Sequence, residues 1–447
     1  MAATAATDPP TRHPTSTGTA LPRGASGPDT PGRAHGRGRL RTVGAGVPGT
    51  WRAWHAERMV DPAVLGVAQR ADVAPFQVME VLTAAAERQR VKGDVVSLAA
   101  GQPSTPAPRA VRAAAAAALE GDPLGYTEQL GVPALREAIA AHYDRSHGLP
   151  VQAEDVVVTT GASGAFLLAF LAAFDAGDRV ALARPGYPAY RNILSALGCE
   201  VVELPCDAST RFQPTVAMLE QLDEPVRGLV VASPANPTGT VLSRAELAGL
   251  AEWCHSHGVQ LVSDEIYHGL SYGDPLHSAW EASREAIVVN SFSKYWSMTG
   301  WRLGWMLVPP RLRRAVDSLT GNFTLCPPAL SQHAAVAAFS PDALDEAAGH
   351  VERYRRNREL LLGGLEELGI TRVAPADGAF YAWADIGHLT DDTSAFCRRL
   401  LDDTGVAVVP GADFDPERGH RFVRMSFAGS TEDVEVALER LGAWLPG

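Results

Sequence analysis

The sequence predicts an α/β fold: a mostly parallel seven-stranded sheet with helices on both faces, joined by a smaller α+β domain built from an N-terminal segment and the C-terminus. Two observations predict the sheet. Short apolar runs rich in β-branched residues recur between residues 155 and 309: DVVVTT, DRVALA, EVVELP, GLVVAS, VQLVSD, AIVVNS and LGWMLVP. Helical patterns such as GAFLLAFLAAF, AYRNILSALG and RAELAGLAEWCHSHG lie between them. Continuously apolar strands belong to a sheet covered on both faces, and their alternation with helices builds βαβ units. A third observation predicts the smaller domain. After residue 330 a long charged helical stretch, DEAAGHVERYRRNRELLLGGLEELG, leads to the isolated strand patterns GAFYAWADI, VAVVPG and RFVRMSFA.

Residues 1–58 are rich in Pro, Gly, Thr, Ser and Arg and nearly lack aliphatics. Such a composition cannot bury enough apolar surface to offset chain entropy, so this tail is expected to be disordered. Its arginine-rich, acid-poor character resembles a transit peptide, although it shows no clear amphipathic period. A misassigned start codon, with Met59 as the true start, is the alternative. Residues 59–103 are assigned to the small domain. There APFQVMEVLTAAAERQRVKGD reads as a helix stopped by Gly93. VVSLAAGQPSTPAP reads as a strand running into a proline-rich turn, and that strand is expected to join the C-terminal segment. Residues 104–329 form the large domain. It opens with the alanine-rich helix RAVRAAAAAALEGD and a second helix starting near Pro133, since proline is tolerated in a first turn. The strand–helix alternation follows. LGWMLVP comes after AIVVNS closely enough to run antiparallel to it. Residues 330–447 complete the small domain.

The chain has 447 residues, a 46% apolar fraction and a mean hydropathy of -0.04, which fit a soluble globular protein with a sizeable core. A net charge of -12 argues against a nucleic-acid partner, which would need a basic face. Cys199, Cys206, Cys254, Cys326 and Cys397 are scattered and never form a CxxC pair. That argues against a disulfide framework or a metal cluster and for a reducing cytoplasm. No run of about 18 uncharged apolar residues exists, so no membrane span is expected.

Ligands of open α/β sheets bind outside the carboxyl ends of the strands. Four strand ends deliver polar groups there: Gly161-Ala162-Ser163-Gly164, Pro234-Ala235-Asn236-Pro237, Asp264-Glu265-Ile266-Tyr267, and Phe292-Ser293-Lys294. The first is a small-residue turn opening a helix, suited to an anion. Asp264 ends a buried strand, where a carboxylate is costly without a partner. Lys294 is the sharpest signal, because the only other lysine in the chain is Lys92, beside Gly93 at a helix end. A lysine held near the interior loses its proton readily and becomes a nucleophile for a carbonyl. An amine, an acid, hydroxyl and amide donors and an anion cradle are the parts that a pyridoxal cofactor requires. Arg302 stands where its fork can reach a phosphate.

Together SFSKYWSMTGWRLGW, SPANPTGT and SDEIYHGL resemble the class I/II aminotransferases among the fold-type-I pyridoxal 5′-phosphate enzymes. GYTEQLGVPALREAI, GASGAF, RPGYPAYR and RMSFA support them in the expected order, from about Val73 to the C-terminus. The resemblance implies that Lys294 binds the cofactor covalently and moves the substrate's Cα proton. It implies that Asp264 keeps the pyridine nitrogen protonated, and that Asn236 and Tyr267 donate to the ring hydroxyl. Ser291, Ser293, Arg302, Ala162 and Ser163 would cradle the phosphate, and Tyr187 would stack on the ring. Tyr126 would cross a dimer interface to the partner's phosphate. Arg424 would fork onto the substrate's α-carboxylate, which the backbone of Gly101 would approach. The implied partners are an amino acid and a 2-oxo acid, and the implied assembly is a homodimer with shared active sites.

The chain departs from relatives that prefer dicarboxylic substrates, some of which place a lysine in or beside the GASG turn; here Ser163 stands there. Trp296, with Phe76, Tyr187 and Phe323, is expected to line an apolar side-chain pocket, which favours apolar or aromatic amino donors. Two alternatives stay open. One is another fold-type-I enzyme, a lyase, cyclase or synthase, acting at the α or β carbon. The other is a transcriptional regulator using this domain as a ligand sensor, although residues 1–58 carry no helix-turn-helix pattern.

Overall fold

The computed structural model describes residues 66–445. The expected disorder of residues 1–58 lies outside them. The strands are β1 (Val96–Ser97), β2 (Val156–Thr159), β3 (Arg179–Arg184), β4 (Glu200–Pro205), β5 (Gly228–Ala232), β6 (Gln260–Asp264), β7 (Ile287–Ser291), β8 (Gly304–Leu307), β9 (Tyr381–Asp385), β10 (Val406–Ala407), β11 (Val409–Pro410) and β12 (Phe422–Ser426).

Seven of them form one sheet in the order β2-β8-β7-β6-β5-β3-β4. The pairs from β7 through β4 are parallel, and β8 runs against both of its neighbours, β7 and β2. The apolar runs are strands because each residue finds a core on whichever face it points to. Val156 and Val158 enter one cluster with Leu229, Val231, Leu261, Val288, Trp305 and Leu307. Val157 enters the other with Val180, Leu182, Val230, Val262, Ile287, Val289 and Met306. A side-chain period of two with both faces covered makes apolar residues dominate the central strands, and the polar ones gather towards their ends.

The helices stop where the chain signals it. Gln77–Lys92 ends on Gly93 at φ 70°, a left-handed conformation that glycine adopts without cost. Pro133–His147 opens on proline as expected. Arg244–His257 has a capping box in which Ser243 and Glu246 satisfy each other's backbone N–H groups.

The strand expected near residues 95–99 shrinks to β1, which pairs in parallel with β10. Its neighbourhood does join the C-terminal segment, since Ser426 N–H donates to Leu98 O at 2.6 Å. VAVVPG was expected to be one strand and is two: β10 serves β1, whereas β11 pairs with β12, which pairs in turn with β9. These small sheets share a core with the long helix Pro341–Glu367, in which Tyr354, Leu361 and Leu365 meet Phe380, Met425 and Phe427.

One close approach sets the site. Gly304 at the start of β8 lies between Ser291 and Thr159. A Cβ there would come 2.8 Å from Asn290 O and 3.0 Å from Ala162 N, both of them backbone atoms that cannot rotate away. Gly304→Ala should therefore lower stability by about 2 kcal/mol or more, read as a fall in the urea midpoint. An unchanged midpoint would show that the sheet edge and the following helix are not locked together here.

Candidate active site

The strands β3, β5, β6 and β7 are parallel, so their carboxyl ends lie on one rim. β2 and β7 are both antiparallel to β8, which makes them parallel to each other. The end of β2 and the beginning of β8 therefore share that rim. The topology thus gathers the turn at Gly161, the loop through Asn236, Asp264, the Ser291–Lys294 turn and Arg302. They line a cavity of about 510 Å³, together with Gly101, Tyr187, Tyr267, Tyr381 and Arg424.

Asp264 is buried at the end of β6. Its carboxylate accepts hydrogen bonds from Ile266 N–H at 3.0 Å and from the Tyr190 hydroxyl. Burial raises its pKa from 3.8 to about 6, although these hydrogen bonds and the nearby Lys294 pull the other way. Lys294 is displaced in the opposite direction. It is half-buried and lines the cavity. Desolvation, helped by Arg424 and Arg302, lowers its pKa to about 8. On the order of a tenth of the amine is then neutral at pH 7. Its Nζ donates to Gly101 O at 2.7 Å.

Arg424 projects from β12 and is buried. It donates to Asn236 Oδ1 at 3.0 Å and to Ala99 O at 2.9 Å. Its guanidinium lies between the rings of Tyr381 and Phe414, at 4.5 and 4.9 Å from their centroids. Such contacts supply attraction without an opposing charge. Its Nε has no acceptor among the described residues, and each Nη spends one of its two N–H groups on these bonds, so donors are left for a ligand carboxylate. Elsewhere on the cavity wall, the helix Gly161–Ala173 starts without a side-chain cap. Ser291, Ser293 and Arg302 converge there. Gly161 is required at this point: it sits at φ 74°, and a Cβ would lie 2.7 Å from Arg302 Nη2. An uncapped helix start beside an arginine and two serine hydroxyls suits a phosphate. The donors left open on Arg424 and the buried acid match the remaining charges of a pyridoxal phosphate carrying an amino acid. The residues fit that group.

Of the residues singled out from the sequence, Lys294, Asp264, Tyr267, Asn236, Ser291, Ser293, Arg302, Ala162, Ser163, Tyr187, Arg424 and Gly101 all line this cavity. Tyr126 does not, and is 86% exposed. Two expected pocket residues are elsewhere. Trp296 is buried beneath the site against Phe292, Trp305 and Phe339, with its Nε1 donating to Ala338 O at 2.9 Å. The chain turns through Ser297 at φ 53° directly after it. Phe323 is 58% exposed at the end of its helix. The apolar wall is made instead by Phe76, Val78, Leu82, Ile193 and Ile266, with Phe76 edge-on to Tyr187 at 5.9 Å. Tyr190, Tyr381 and Phe414 were missed. Tyr190 lies in the quoted RPGYPAYR motif, three residues after Tyr187 and so nearly one helical turn on, and that spacing was its one signal. Tyr381 and Phe414 gave none.

A family model described as aminotransferase class I and II matches residues 93–441. The valine–pyruvate aminotransferase of Mycobacterium tuberculosis is 65% identical over 382 residues, covering 85% of this chain and 98% of that protein. The aspartate/prephenate aminotransferase of Thermus thermophilus is 37% identical over 370 residues, covering 82% and 95%. Among solved structures, an aminotransferase from Mycobacterium tuberculosis superposes with a TM-score of 0.85 at 63% identity, covering 86% of this chain and 100% of the other. The aspartate aminotransferase of Thermus thermophilus with maleate superposes with a TM-score of 0.81 at 34% identity, covering 85% and 100%.

The raised pKa of Asp264 has a consequence for stability. The folded chain holds this proton more tightly than the unfolded chain does. Its contribution is therefore fully present below about pH 4 and lost as pH rises through about 6. A rise from 3.8 to about 6 corresponds to roughly 3 kcal/mol of cost to the ionised folded state. In cofactor-free protein, Asp264→Asn should be more stable than the parent at pH 7.5, by up to that amount. The gap should close towards pH 4.5 in urea titrations. A variant less stable than the parent at pH 7.5 would contradict a buried, costly charge.

Proposed function

The chain belongs to the class I and II aminotransferases, and we propose that within this family it takes an apolar amino donor of valine's kind and passes the amino group to a small 2-oxo acid such as pyruvate. It is a transaminase acting on an amino acid and a 2-oxo acid, and its cofactor is pyridoxal 5′-phosphate. The observation that carries the donor assignment is the cavity wall. Phe76, Val78, Leu82, Ile193 and Ile266 are apolar, and the basic residues lining the cavity are Lys294, Arg302 and Arg424. Each of those three has a duty towards cofactor or α-carboxylate. A donor with a second carboxylate would set it against hydrocarbon, which costs several kcal/mol. The name of the relative at 65% identity agrees with this reading.

The working parts of this reading draw on the residues that line the cavity. Pyridoxal phosphate, when bound, supplies a carbonyl that links to an amine and a protonated ring that accepts the electrons left at Cα. Asp264, ionised above about pH 6, would hold the positive charge of that ring. Asn236 and Tyr267 would offer donors to its oxygen, and Tyr187 would pack against it. Ser291, Ser293, Arg302, Ala162 and Ser163 would hold the phosphate. Arg424 orients the donor through its carboxylate, beside the backbone of Gly101. Lys294 takes the Cα proton onto Nζ and holds it for return. The depressed pKa keeps that amine basic enough to accept a proton and yet able to give it up.

We further read the enzyme as a cytoplasmic homodimer. Tyr126 is 86% exposed, and Leu119, Phe323 and Leu325 are exposed large apolar side chains, which supports a second copy covering them and receiving Tyr126 at its phosphate site. The five cysteines are unpaired, which supports a reducing compartment.

A panel of donors in single turnover tests the assignment. Valine should exceed aspartate in kcat/KM by about 100-fold, and equal reactivity would refute the apolar wall. With donor alone the visible band should change once, with a single release of 2-oxo acid; continued release would indicate a lyase. Lys294→Ala should lose about 1,000-fold or more in turnover, and substantial surviving activity would remove this lysine from the mechanism.

A further inference from the structure

We infer that Tyr381 is a positioning residue for transamination: its hydroxyl donates to the Tyr267 oxygen and so commits the Tyr267 proton to the cofactor's ring oxygen. The inference rests on the aminotransferase reading of the site above.

Tyr381 begins β9 and is 1% exposed. Its hydroxyl lies 2.8 Å from that of Tyr267. The two rings meet edge to face, 5.7 Å apart at 81°. Arg424 pairs with Trp383 across the β9–β12 ladder, two positions from Tyr381, so Tyr381 and Arg424 project from the same face. The guanidinium accordingly lies over the Tyr381 ring. Gly101 makes room for the hydroxyl, since a Cβ there would come 2.6 Å from it. One phenol thus touches both the residue expected to meet the cofactor's oxygen and the residue expected to meet the substrate's carboxylate.

The direction of the bond between the two hydroxyls follows from counting protons. Each phenol carries one, and burial keeps both phenols protonated. If Tyr267 gave its proton to Tyr381, none would remain for the ring oxygen. With Tyr381 as donor, the two O–H groups point the same way along a chain towards the cofactor. Aligned hydrogen bonds polarise one another, so the outer one is strengthened. A stronger donor at the ring oxygen stabilises its negative charge and lowers the pH at which that charge appears.

The test is a pH titration of the visible band in pyridoxal-phosphate-loaded, substrate-free enzyme, for the parent, Tyr381→Phe, Tyr267→Phe and the double variant. Tyr381→Phe removes one oxygen and leaves the ring against Arg424. Its titration midpoint should rise by about half a pH unit to one unit, and its cofactor should dialyse out with about threefold weaker affinity. The KM for the amino donor should change less than twofold, because the aromatic wall of Arg424 is kept. In the Tyr267→Phe background, Tyr381→Phe should produce no further rise. A Tyr381→Phe midpoint equal to the parent's, with Tyr267→Phe raised, would overturn the relay and leave the reading of Tyr267 standing. A midpoint unmoved in both would remove Tyr267 as a donor as well, and the relay with it.

Discussion

The constraint on which the rest of the structure depends is a carboxylate and an amine that must share one poorly hydrated cavity. Asp264 sits at the end of a central strand with a phenol and a peptide N–H as its partners. Lys294 ends the turn after the neighbouring strand. Burial pushes the acid up to about 6 and the amine down to about 8. Neither is stabilised where it stands, and the fold has to supply the difference. It does so with two full faces of branched apolar side chains on the seven-stranded sheet, far more burial than two strained ionisations cost. A stability deficit concentrated at one rim, and offset by packing beneath it, is the usual relation between a binding site and its scaffold.

The charges at that rim form a complementary set. An uncapped helix start with Arg302, the acid, the amine and Arg424 line one cavity. Each is under-satisfied in a way that a particular ligand group would relieve: a phosphate, a protonated ring, a carbonyl and a carboxylate. Backbone makes the set possible as much as side chains do. Gly161 and Gly304 let a helix start, a strand edge and a guanidinium come within contact distance, and at each of them a Cβ would overlap a neighbour.

Arg424 ties the two ends of the chain to its middle. It leaves a C-terminal strand, donates to the carbonyl of Ala99 near the N-terminus, and donates to Asn236 at the end of β5. Among the described residues no carboxylate forms an ion pair with it; the rings of Tyr381 and Phe414 flank it, and Asp413 acts on it only at longer range. A buried carboxylate partner would compete with the substrate, whereas an aromatic face attracts the cation and leaves its donors directional and available.

The sequence by itself determined the sheet and most of the rim. Strands buried on both sides are dominated by apolar residues, so the central strands can be read as short apolar runs, and the polar residues that follow them emerge at the strand ends. What only the tertiary structure decided lay in partner choice and direction. VAVVPG carries one strand pattern, yet its halves pair with strands 310 and 13 or more residues away in opposite directions along the chain. Trp296 lies two residues after Lys294 and was expected in the side-chain pocket, but its indole packs into the core against Phe292, Trp305 and Phe339. Tyr381 met Tyr267 across 114 residues. Local patterns report which face a residue shows to its own strand or helix. They carry no record of which distant surface arrives opposite, because that is settled by how the whole set of faces can be buried at once.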